Sequence, residues 1–233
     1  MKIDVVTLFP KTLKDIFTIS ILKIAQEKKL IEINVLDLRK FGKGKRKTVD
    51  DRPFGGGTGM ILRVDVLVDA LKFLTKDSRG RDKPFVILTD PTGTTFNQGL
   101  AKKLSKKKWL VIFCGHYEGV DERFKKWVDM SISIGDYILT GGELPAAVIT
   151  DATARLVPNI LKIEATATET FSEIKVGKEK IPILEYPQYS RPRTFLNLEV
   201  PPVLISGDHK RVEEWRIREA LTKTKKSRPD LLR

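Results

Sequence analysis

The sequence predicts an α/β protein whose sheet is mostly parallel and carries helices on both faces. Short apolar runs alternate with amphipathic stretches through the first two thirds of the chain, as strands and helices do in such a sheet. The run Trp109–Cys114 is continuously apolar, which is typical of a strand buried on both faces. The chain has 233 residues, 41% of them hydrophobic, so it is long enough to bury a sizeable core.

The N-terminal elements follow from apolar periodicity. The short, mostly apolar run from Ile3 to Leu8 predicts a buried strand. The next stretch, 12–28, predicts a helix because its apolar residues share one face, formed by Leu13, Ile16, Phe17, Ile21, Ile24 and Ala25. Apolar residues then alternate with polar ones, as in a half-buried strand, at Ile31, Ile33 and Val35.

Further elements continue the alternation as far as Pro158. The segment 64–74 is predicted to be helical and Phe85–Leu88 to be a strand. Asn97 is a favourable N-cap for a helix that extends to Leu104. After the strand at 109–114, a helix is expected over 144–157, and it ends before the proline.

The composition changes after Pro158. Residues 162–182 are polar and charged without a clear apolar period, and a proline-rich stretch follows them. A helix is predicted from about His209 to Lys225, with Asp208 as its N-cap. We therefore expect a first domain at 1–162, an interdomain linker at 163–182 and a small helical domain at 183–233.

Charge and composition narrow the function classes. The formal net charge of +13 indicates an anionic partner, with nucleic acid first and the ribosome or an anionic membrane surface as alternatives. The single cysteine, Cys114, excludes an intramolecular disulfide and favours a reducing cytoplasm. Two histidines with that cysteine leave no zinc cluster of familiar spacing. The acidic Asp4 argues against a signal peptide, and no apolar run is long enough to span a membrane.

Three glycine-containing segments are candidate ligand loops. Gly55–Gly59 fits neither the dinucleotide nor the P-loop spacing, and it is either an anion-binding loop or a flexible surface loop. The segment 114–119 follows a predicted strand, where open α/β sheets bind ligands, or forms an ordinary turn. The segment 134–145 is long, and Ile138 and Leu139 in it suit an apolar pocket for a ring.

Charged residues offer further candidates with two interpretations each. Asp151 and Arg155 lie four residues apart on the helix predicted at 144–157. They form either an ion pair on the face of the helix or a pair in which the acid holds the arginine toward a substrate. Basic clusters at 39–52, 102–108 and 210–228 suit phosphate binding, or are solvated faces.

Taken together and in this order, these segments resemble the bacterial tRNA (guanine-N1)-methyltransferases that act at guanosine 37. The resemblance covers nearly the whole chain, and the loop at 134–145 is its most specific part. The matching motifs are KIDVVTLFP at 2–10, DDRPFGGG at 50–57, YEGVDER at 117–123, IGDYILTGGELP at 134–145, LEYPQYSRP at 184–192, PPVL at 201–204 and RPDLL at 228–232.

The resemblance implies a trefoil-knotted SPOUT methyltransferase domain, a linker and a small helical tRNA-binding domain, assembled as a homodimer whose sites use both subunits. It implies S-adenosyl-L-methionine as cofactor, bound by Pro91, Gly115, Tyr117, Glu118, Ser133, Ile134, Gly135, Asp136, Tyr137, Ile138, Leu139, Gly141, Gly142 and Pro145. It implies tRNA contacts at Asp50, Arg52, Gly56, Gly57, Arg191, His209 and Arg216. It also implies magnesium, although the sequence has no dedicated ligand cluster for a metal.

The chemistry of the implied reaction needs two further groups. Guanine N1 carries a proton that a general base must remove, and the charge that develops on O6 is stabilised by a fixed cation. By the resemblance, Arg155 is the cation and a linker acid is the base. The family has an aspartate in a Glu-Asp-Ser-Phe motif where this chain has Thr168-Glu169-Thr170-Phe171, so Glu169 is the candidate base and Glu173 the fallback. His116 stands where the family usually has arginine.

Two other functions stay open at this point. A related knotted methyltransferase that acts on ribosomal RNA would share the cofactor loop. A non-catalytic RNA-binding protein would keep the charge, and the altered residue at 169 is the feature in its favour.

Overall fold

The computed structural model describes residues 1–76, 83–162, 169–176 and 179–232. The chain divides into two compact units, Met1–Leu161 and Lys162–Arg233. Each unit is described by itself. The division into a linker at 163–182 and a domain at 183–233 stays a prediction.

The first unit is built on a five-stranded parallel sheet, which confirms the predicted fold class. Its strands are β1 (Lys2–Thr7), β2 (Glu32–Asp37), β5 (Phe85–Thr95), β6 (Trp109–Cys114) and β7 (Met130–Ser133), in the order β2-β1-β6-β5-β7. A separate short antiparallel ribbon joins β3 (Asp50–Asp51) to β4 (Ile61–Leu62). Every residue of β6 is buried, as expected for a central strand with layers on both faces.

The helices of this unit are α1 (Pro10–Phe17), α2 (Ser20–Glu27), α3 (Val64–Thr75), α4 (Gln98–Leu104) and α5 (Glu143–Ala154). The prediction of one helix over 12–28 is therefore wrong, because α1 ends at Phe17 and α2 begins at Ser20. The Thr18 hydroxyl donates to the Asp15 carbonyl over 3.0 Å, and Ile19 is extended. Such a side-chain bond to the backbone competes with helix propagation. Asn97 caps α4 by accepting from Leu100 N–H, as predicted.

Strand β5 is much longer than the predicted Phe85–Leu88. Its register against β7 shifts between Thr89 and Thr94, which is the behaviour of a bulge. Pro91 lies inside this irregular stretch, where a residue without an N–H does not interrupt a regular ladder. The bulge carries Asp90, Pro91 and Thr92 beyond the buried part of the strand.

Two buried apolar clusters pack on the sheet. One includes Leu13, Phe17 and Ile149 from helices together with Ile3 and Ile112 from strands. The other includes Val66, Leu67 and Phe124 together with Val6 and Phe113. Helical residues therefore cover the sheet in two layers, which matches the predicted arrangement. The trefoil knot stays a prediction of the family resemblance.

The second unit combines two antiparallel ribbons with one long helix among its described residues. The ribbons pair β8 (Ser172–Val176) with β9 (Glu179–Ile183) and β10 (Thr194–Phe195) with β11 (Leu198–Glu199). The C-terminal helix spans His209–Ser227, with Asp208 as its N-cap, as predicted. Its buried Thr224 hydroxyl accepts from Leu184 N–H at 2.9 Å and donates to the Ala220 carbonyl. Strand β8 and most of β9 lie within the predicted linker, so the described part of that segment includes strands that the sequence pattern did not predict.

Candidate functional site

Three loops meet at the carboxyl edge of the parallel sheet. They are the bulge at 89–94, the segment 115–119 after β6 and the segment 134–142 between β7 and α5. Parallel strands bring their carboxyl ends to one edge, and ligand sites of open α/β sheets lie there. The backbone N–H of Gly142 donates to the Gly115 carbonyl over 2.7 Å, and Gly115 N–H donates to Thr89 Oγ1 over 3.0 Å. The three loops are thus joined by direct hydrogen bonds.

Two of these glycines are required by the closeness of the loops. A Cβ atom at Gly142 would lie 2.0 Å from Thr89 Oγ1 and 2.6 Å from Gly115 N. A Cβ at Gly115 would lie 2.7 Å from the Thr89 carbonyl oxygen. Both separations are far below van der Waals contact, so only glycine fits without movement of the backbone. Gly115 and Gly142 are therefore glycines because the loops pack closely at these two positions, and they do not indicate a flexible segment.

The junction encloses a cavity of about 430 Å³, within the size range of small-molecule and cofactor sites. Thirteen of the fourteen residues predicted to bind the cofactor line it: Pro91, Gly115, Tyr117, Glu118, Ser133, Ile134, Gly135, Tyr137, Ile138, Leu139, Gly141, Gly142 and Pro145. Asp136 belongs to the same loop, but it is exposed and does not line the cavity. The structure brings together residues that are spread over more than fifty positions of the sequence.

The loop at 134–142 is held in shape by its own side chains. Ser133 Oγ accepts from Gly135 N–H at 3.2 Å and donates to the Gly135 carbonyl, and the Tyr137 hydroxyl donates to the Ile134 carbonyl. The described residues provide no acceptor for the backbone N–H of Ile138 or Leu139. An apolar wall next to backbone donors suits a flat heterocycle such as adenine.

The structure adds cavity residues that the sequence analysis missed. Thr89 and Asp90 line the cavity from the end of β5, and Lys125 lines it from the short 3-10 helix Glu122–Trp127. Lys125 Nζ lies 2.9 Å from Glu122 and 3.7 Å from Asp90. The hydrogen bond to Glu122, aided by the charge of Asp90, raises the pKa of Lys125, so the ammonium stays charged. The position of Thr89 and Asp90 at a strand end was the available signal, but the strand was predicted to end at Leu88.

Behind the cavity lies a buried carboxylate. Glu143 begins α5, is buried, and accepts a hydrogen bond of 2.6 Å from the Thr7 hydroxyl at the end of β1. Its position in the first turn of a helix favours a negative charge. Burial, together with the charge of Glu143, raises the pKa of the Cys114 thiol well above its usual range. The thiol is therefore neutral, and Cys114 is a packing residue rather than a nucleophile.

The glycine loop at 52–60 is anchored to the rim of this cavity. Glu118 N–H donates to the Met60 carbonyl over 3.0 Å, Leu62 N–H to the Gly119 carbonyl, and Asp121 N–H to the Leu62 carbonyl. Three of the predicted tRNA-contact residues, Arg52, Gly56 and Gly57, lie in the exposed part of the loop, and Asp50 lies in β3 at its base. The predicted substrate loop thus adjoins the predicted cofactor loop.

The two predicted catalytic residues lie in different units. Arg155 is the half-buried C-cap that follows α5, and its backbone N–H donates to the Asp151 carbonyl over 3.1 Å. Glu169 is half-buried just before β8, and its carbonyl accepts from Ser172 N–H. The fallback, Glu173, is exposed on β8.

The remaining predicted tRNA contacts lie in the second unit. Arg191 is exposed, and His209 is the first residue of the C-terminal helix. Arg216, within that helix, is half-buried with its guanidinium 4.9 Å from the Tyr186 ring centre. Arginine and aromatic faces together are typical of RNA-binding surfaces.

Comparisons with known proteins agree with this arrangement. A family model described as tRNA (Guanine-1)-methyltransferase TrmD matches residues 1–233. Proteins named tRNA (guanine-N(1)-)-methyltransferase are similar from end to end. That of Dictyoglomus turgidum is 49% identical over 100% of this chain and 90% of its own length. Those of Endomicrobium trichonymphae and Enterococcus faecalis are 46% and 45% identical over 100% of this chain, and over 100% and 91% of their own lengths. This chain belongs to the tRNA (guanine-1)-methyltransferase TrmD family.

Proposed function

We propose that the protein transfers a methyl group from S-adenosyl-L-methionine to N1 of guanosine 37 in tRNA. The observation that carries the proposal is the cavity where the bulge of β5 and the loops after β6 and β7 meet. A protein that only binds RNA has no need of such a junction. The names of the similar proteins specify tRNA and guanine N1, and position 37 follows from the family resemblance.

The residues of the cavity fit the proposed cofactor. The exposed apolar side chains Ile138 and Leu139 suit one face of an adenine ring, and the adjoining backbone N–H groups suit its nitrogen atoms. Asp90 and Glu118 provide negative charge for an amino group and a sulfonium, and Lys125 provides positive charge for a carboxylate. When bound, S-adenosyl-L-methionine supplies an electrophilic methyl group.

The chain's own acid and base groups prepare the guanine. We assign Glu169 as the base that accepts the N1 proton, so that the N1 lone pair becomes available. Arg155 stabilises the negative charge that moves onto O6 when that proton leaves. The glutamate has one more methylene than the family's aspartate, which gives its carboxylate a longer reach. Holding both reactants in line contributes much of the remaining rate.

The excess positive charge supports binding of the tRNA backbone. Arg52 in the glycine loop and Arg191, His209 and Arg216 in the second unit are assigned to the tRNA. Lysine and arginine side chains gain affinity for RNA by releasing counterions from phosphates, so these contacts hold the substrate without choosing the base. The proposed compartment is the cytoplasm, where such a tRNA is processed.

We also propose that the working enzyme is a homodimer. Leu144 and Val148 lie one turn apart on α5 and are 53% and 45% exposed. Neighbouring large apolar side chains on a surface favour a protein interface. A second copy that covers this surface would bring its own residues next to the cavity.

Magnesium is proposed as an auxiliary ion, from the family resemblance alone. Among the described residues, no group of three or more histidine, cysteine or acidic side chains has the arrangement of a metal site. We therefore expect any magnesium to be held partly by the tRNA, since this ion keeps waters and binds phosphate oxygens readily. In the described residues, no helix is long and apolar enough to cross a membrane.

Two measurements test the proposal together. Titration calorimetry of S-adenosyl-L-methionine into the intact protein should show binding, and a labelled methyl group should pass to purified tRNA but not to ribosomal RNA. No heat of binding would contradict the cofactor assignment. Labelling of ribosomal RNA alone would support the ribosomal RNA methyltransferase instead, and binding of tRNA with no transfer would support the RNA-binding protein.

A further inference from the structure

Phe54 is 99% exposed, the highest value of any large apolar side chain in the described residues. It lies between Pro53 and Gly55 in a turn where Gly56 N–H donates to the Pro53 carbonyl over 3.4 Å. Gly55 has a φ of +85°, as the third residue of a type II turn requires. The turn therefore places the phenyl ring at the tip of the loop, where it contributes nothing to the core.

The base of this loop is fixed, although its tip is exposed. The ribbon of β3 and β4 closes it, and hydrogen bonds from Glu118, Leu62 and Asp121 N–H groups join it to the cavity rim. A Cβ at Gly59 would lie 2.5 Å from Glu118 Cγ, so the loop packs directly on a cavity residue. The fixed base of the loop therefore holds Phe54 near the cofactor cavity.

The charge around Phe54 favours an anionic partner. Arg52 is exposed, and among the described side chains no carboxylate forms a salt bridge with it. The nearest acid in sequence, Asp51, accepts from the Arg52 backbone N–H over 2.9 Å, and its other carboxylate oxygen lies 3.3 Å from the Arg63 guanidinium. An exposed aromatic ring with a nearby guanidinium is the combination that binds a base and its phosphate in single-stranded RNA.

The proposed reaction supplies the reason for such a ring. Guanine N1 lies on the base-pairing edge, so the target must leave its stack to reach a cavity. The bases beside it then lose a stacking partner. An aromatic side chain at the rim replaces that partner, and it tolerates any base because every base has an aromatic face.

We propose that Phe54 is a positioning residue that stacks on an unpaired base next to the target guanosine, with Arg52 on the adjoining phosphate. The inference rests on the proposed function and adds to it a contact that sets substrate geometry. An interface with a second copy of the chain is the competing occupant. One ring on a glycine loop, flanked by an arginine, offers little apolar area for that purpose.

The test compares Phe54→Ala and Phe54→Trp with Phe73→Ala in the intact protein. Phe73 is a suitable control because it is 58% exposed on α3, outside the cavity. Steady-state rates should show Phe54→Ala raising the KM for tRNA about fivefold or more, with the KM for S-adenosyl-L-methionine unchanged. Phe54→Trp should restore the KM, and Phe73→Ala should leave it unchanged.

Other outcomes separate this inference from the proposed function. An unchanged tRNA KM in an active Phe54→Ala variant would overturn the stacking contact and leave the methyltransferase intact. A change in sedimentation coefficient of that variant would assign Phe54 to an interface between copies. If the unmodified protein transfers no methyl group, the proposed function fails, and filter binding of an anticodon stem-loop still shows whether Phe54→Ala weakens RNA affinity.

Discussion

Glu169 is the proposed base, so we expect the chemical step to depend on its carboxylate. Replacing it with glutamine keeps the size and removes the basic carboxylate, so we expect turnover to fall about 100-fold or more. Binding of S-adenosyl-L-methionine should persist, because the cavity residues belong to the first unit. Single-turnover methyl transfer and calorimetry measure the two effects.

Glu173→Gln is the matched control for Glu169→Gln, since Glu173 is exposed on β8 only four residues away. It should retain near-normal turnover. Near-normal turnover of Glu169→Gln, with loss of activity in the Glu173 variant, would move the base to Glu173.

Gly142 is the cavity glycine at which an added side chain would clash most closely with its neighbours. Alanine there would place Cβ 2.0 Å from Thr89 Oγ1, so the junction of the three loops must open. We expect the affinity for S-adenosyl-L-methionine to fall about tenfold or more, since a displacement of this size removes several cavity contacts. Calorimetry measures the loss, and Gly99→Ala on α4 is the control. Unaltered affinity in Gly142→Ala would refute the cofactor assignment of this junction.

Single residues also show how far sequence reasoning reached. Gly115, Gly141 and Gly142 were identifiable because their spacing follows a family motif. Thr89 was missed because the strand was predicted to end one residue before it, and Lys125 was missed because no sequence pattern distinguishes it from the other lysines of the chain. The side-chain contacts that join Glu143 to Thr7 cross 136 positions, and no local pattern signals them.

At the scale of elements, apolar periodicity located most strands and helices but missed their irregularities. The strand predicted at 109–114 is confirmed as β6, because a run of six apolar residues suits a strand that is buried on both faces of the sheet. The bulge in β5 and the break at Thr18 depend on a register shift and a side-chain hydrogen bond. The ribbon of β8 and β9 was missed because few apolar residues alternate with many charged ones in these two strands.

Substitutions on the C-terminal helix test whether its positive charges bind tRNA. Lys210 and Arg211 lie exposed in its first turn. Replacing both with glutamine should weaken tRNA binding and reduce the slope of log affinity against log salt by about one to two, because fewer counterions are released. Fluorescence anisotropy at several salt concentrations gives the slope.

The pair Lys102 and Lys103 on α4 provides the control, since both are exposed in a cluster that also suits a solvated face. Their replacement by glutamine should leave the slope unchanged. The reverse pattern would assign the RNA track to α4 instead of the C-terminal helix.

For the whole molecule, apolar periodicity predicts the α/β sheet, whereas the family and the homodimer were predicted from the resemblance alone. Composition indicates an anionic partner but gives no stoichiometry. The exposed Leu144 and Val148 appear only when α5 is placed on the sheet, because the apolar pattern of α5 continues around most of its surface. The homodimer therefore rests on surface chemistry and family resemblance.

Val148→Asp tests the assembly. A charge in an apolar interface is costly because it must be desolvated, so we expect a dimer in the unmodified protein and a monomer in the variant. Methyl transfer should fall with the dimer fraction. Sedimentation velocity measures the state, and Lys28→Asp at the end of α2 is a surface control. A monomeric unmodified protein with full activity would exclude the shared site.

The central claim is methylation of guanosine 37 at N1, and one measurement tests it most directly. A tRNA transcript with guanosine at 36 and 37 is incubated with the protein and labelled S-adenosyl-L-methionine, beside a transcript with adenosine at 37. Nuclease digestion and mass spectrometry then locate the modified nucleoside. The account predicts 1-methylguanosine at position 37 of the first transcript and no methylation of the second. Equal labelling of both transcripts, or a methyl group at another position, would contradict it.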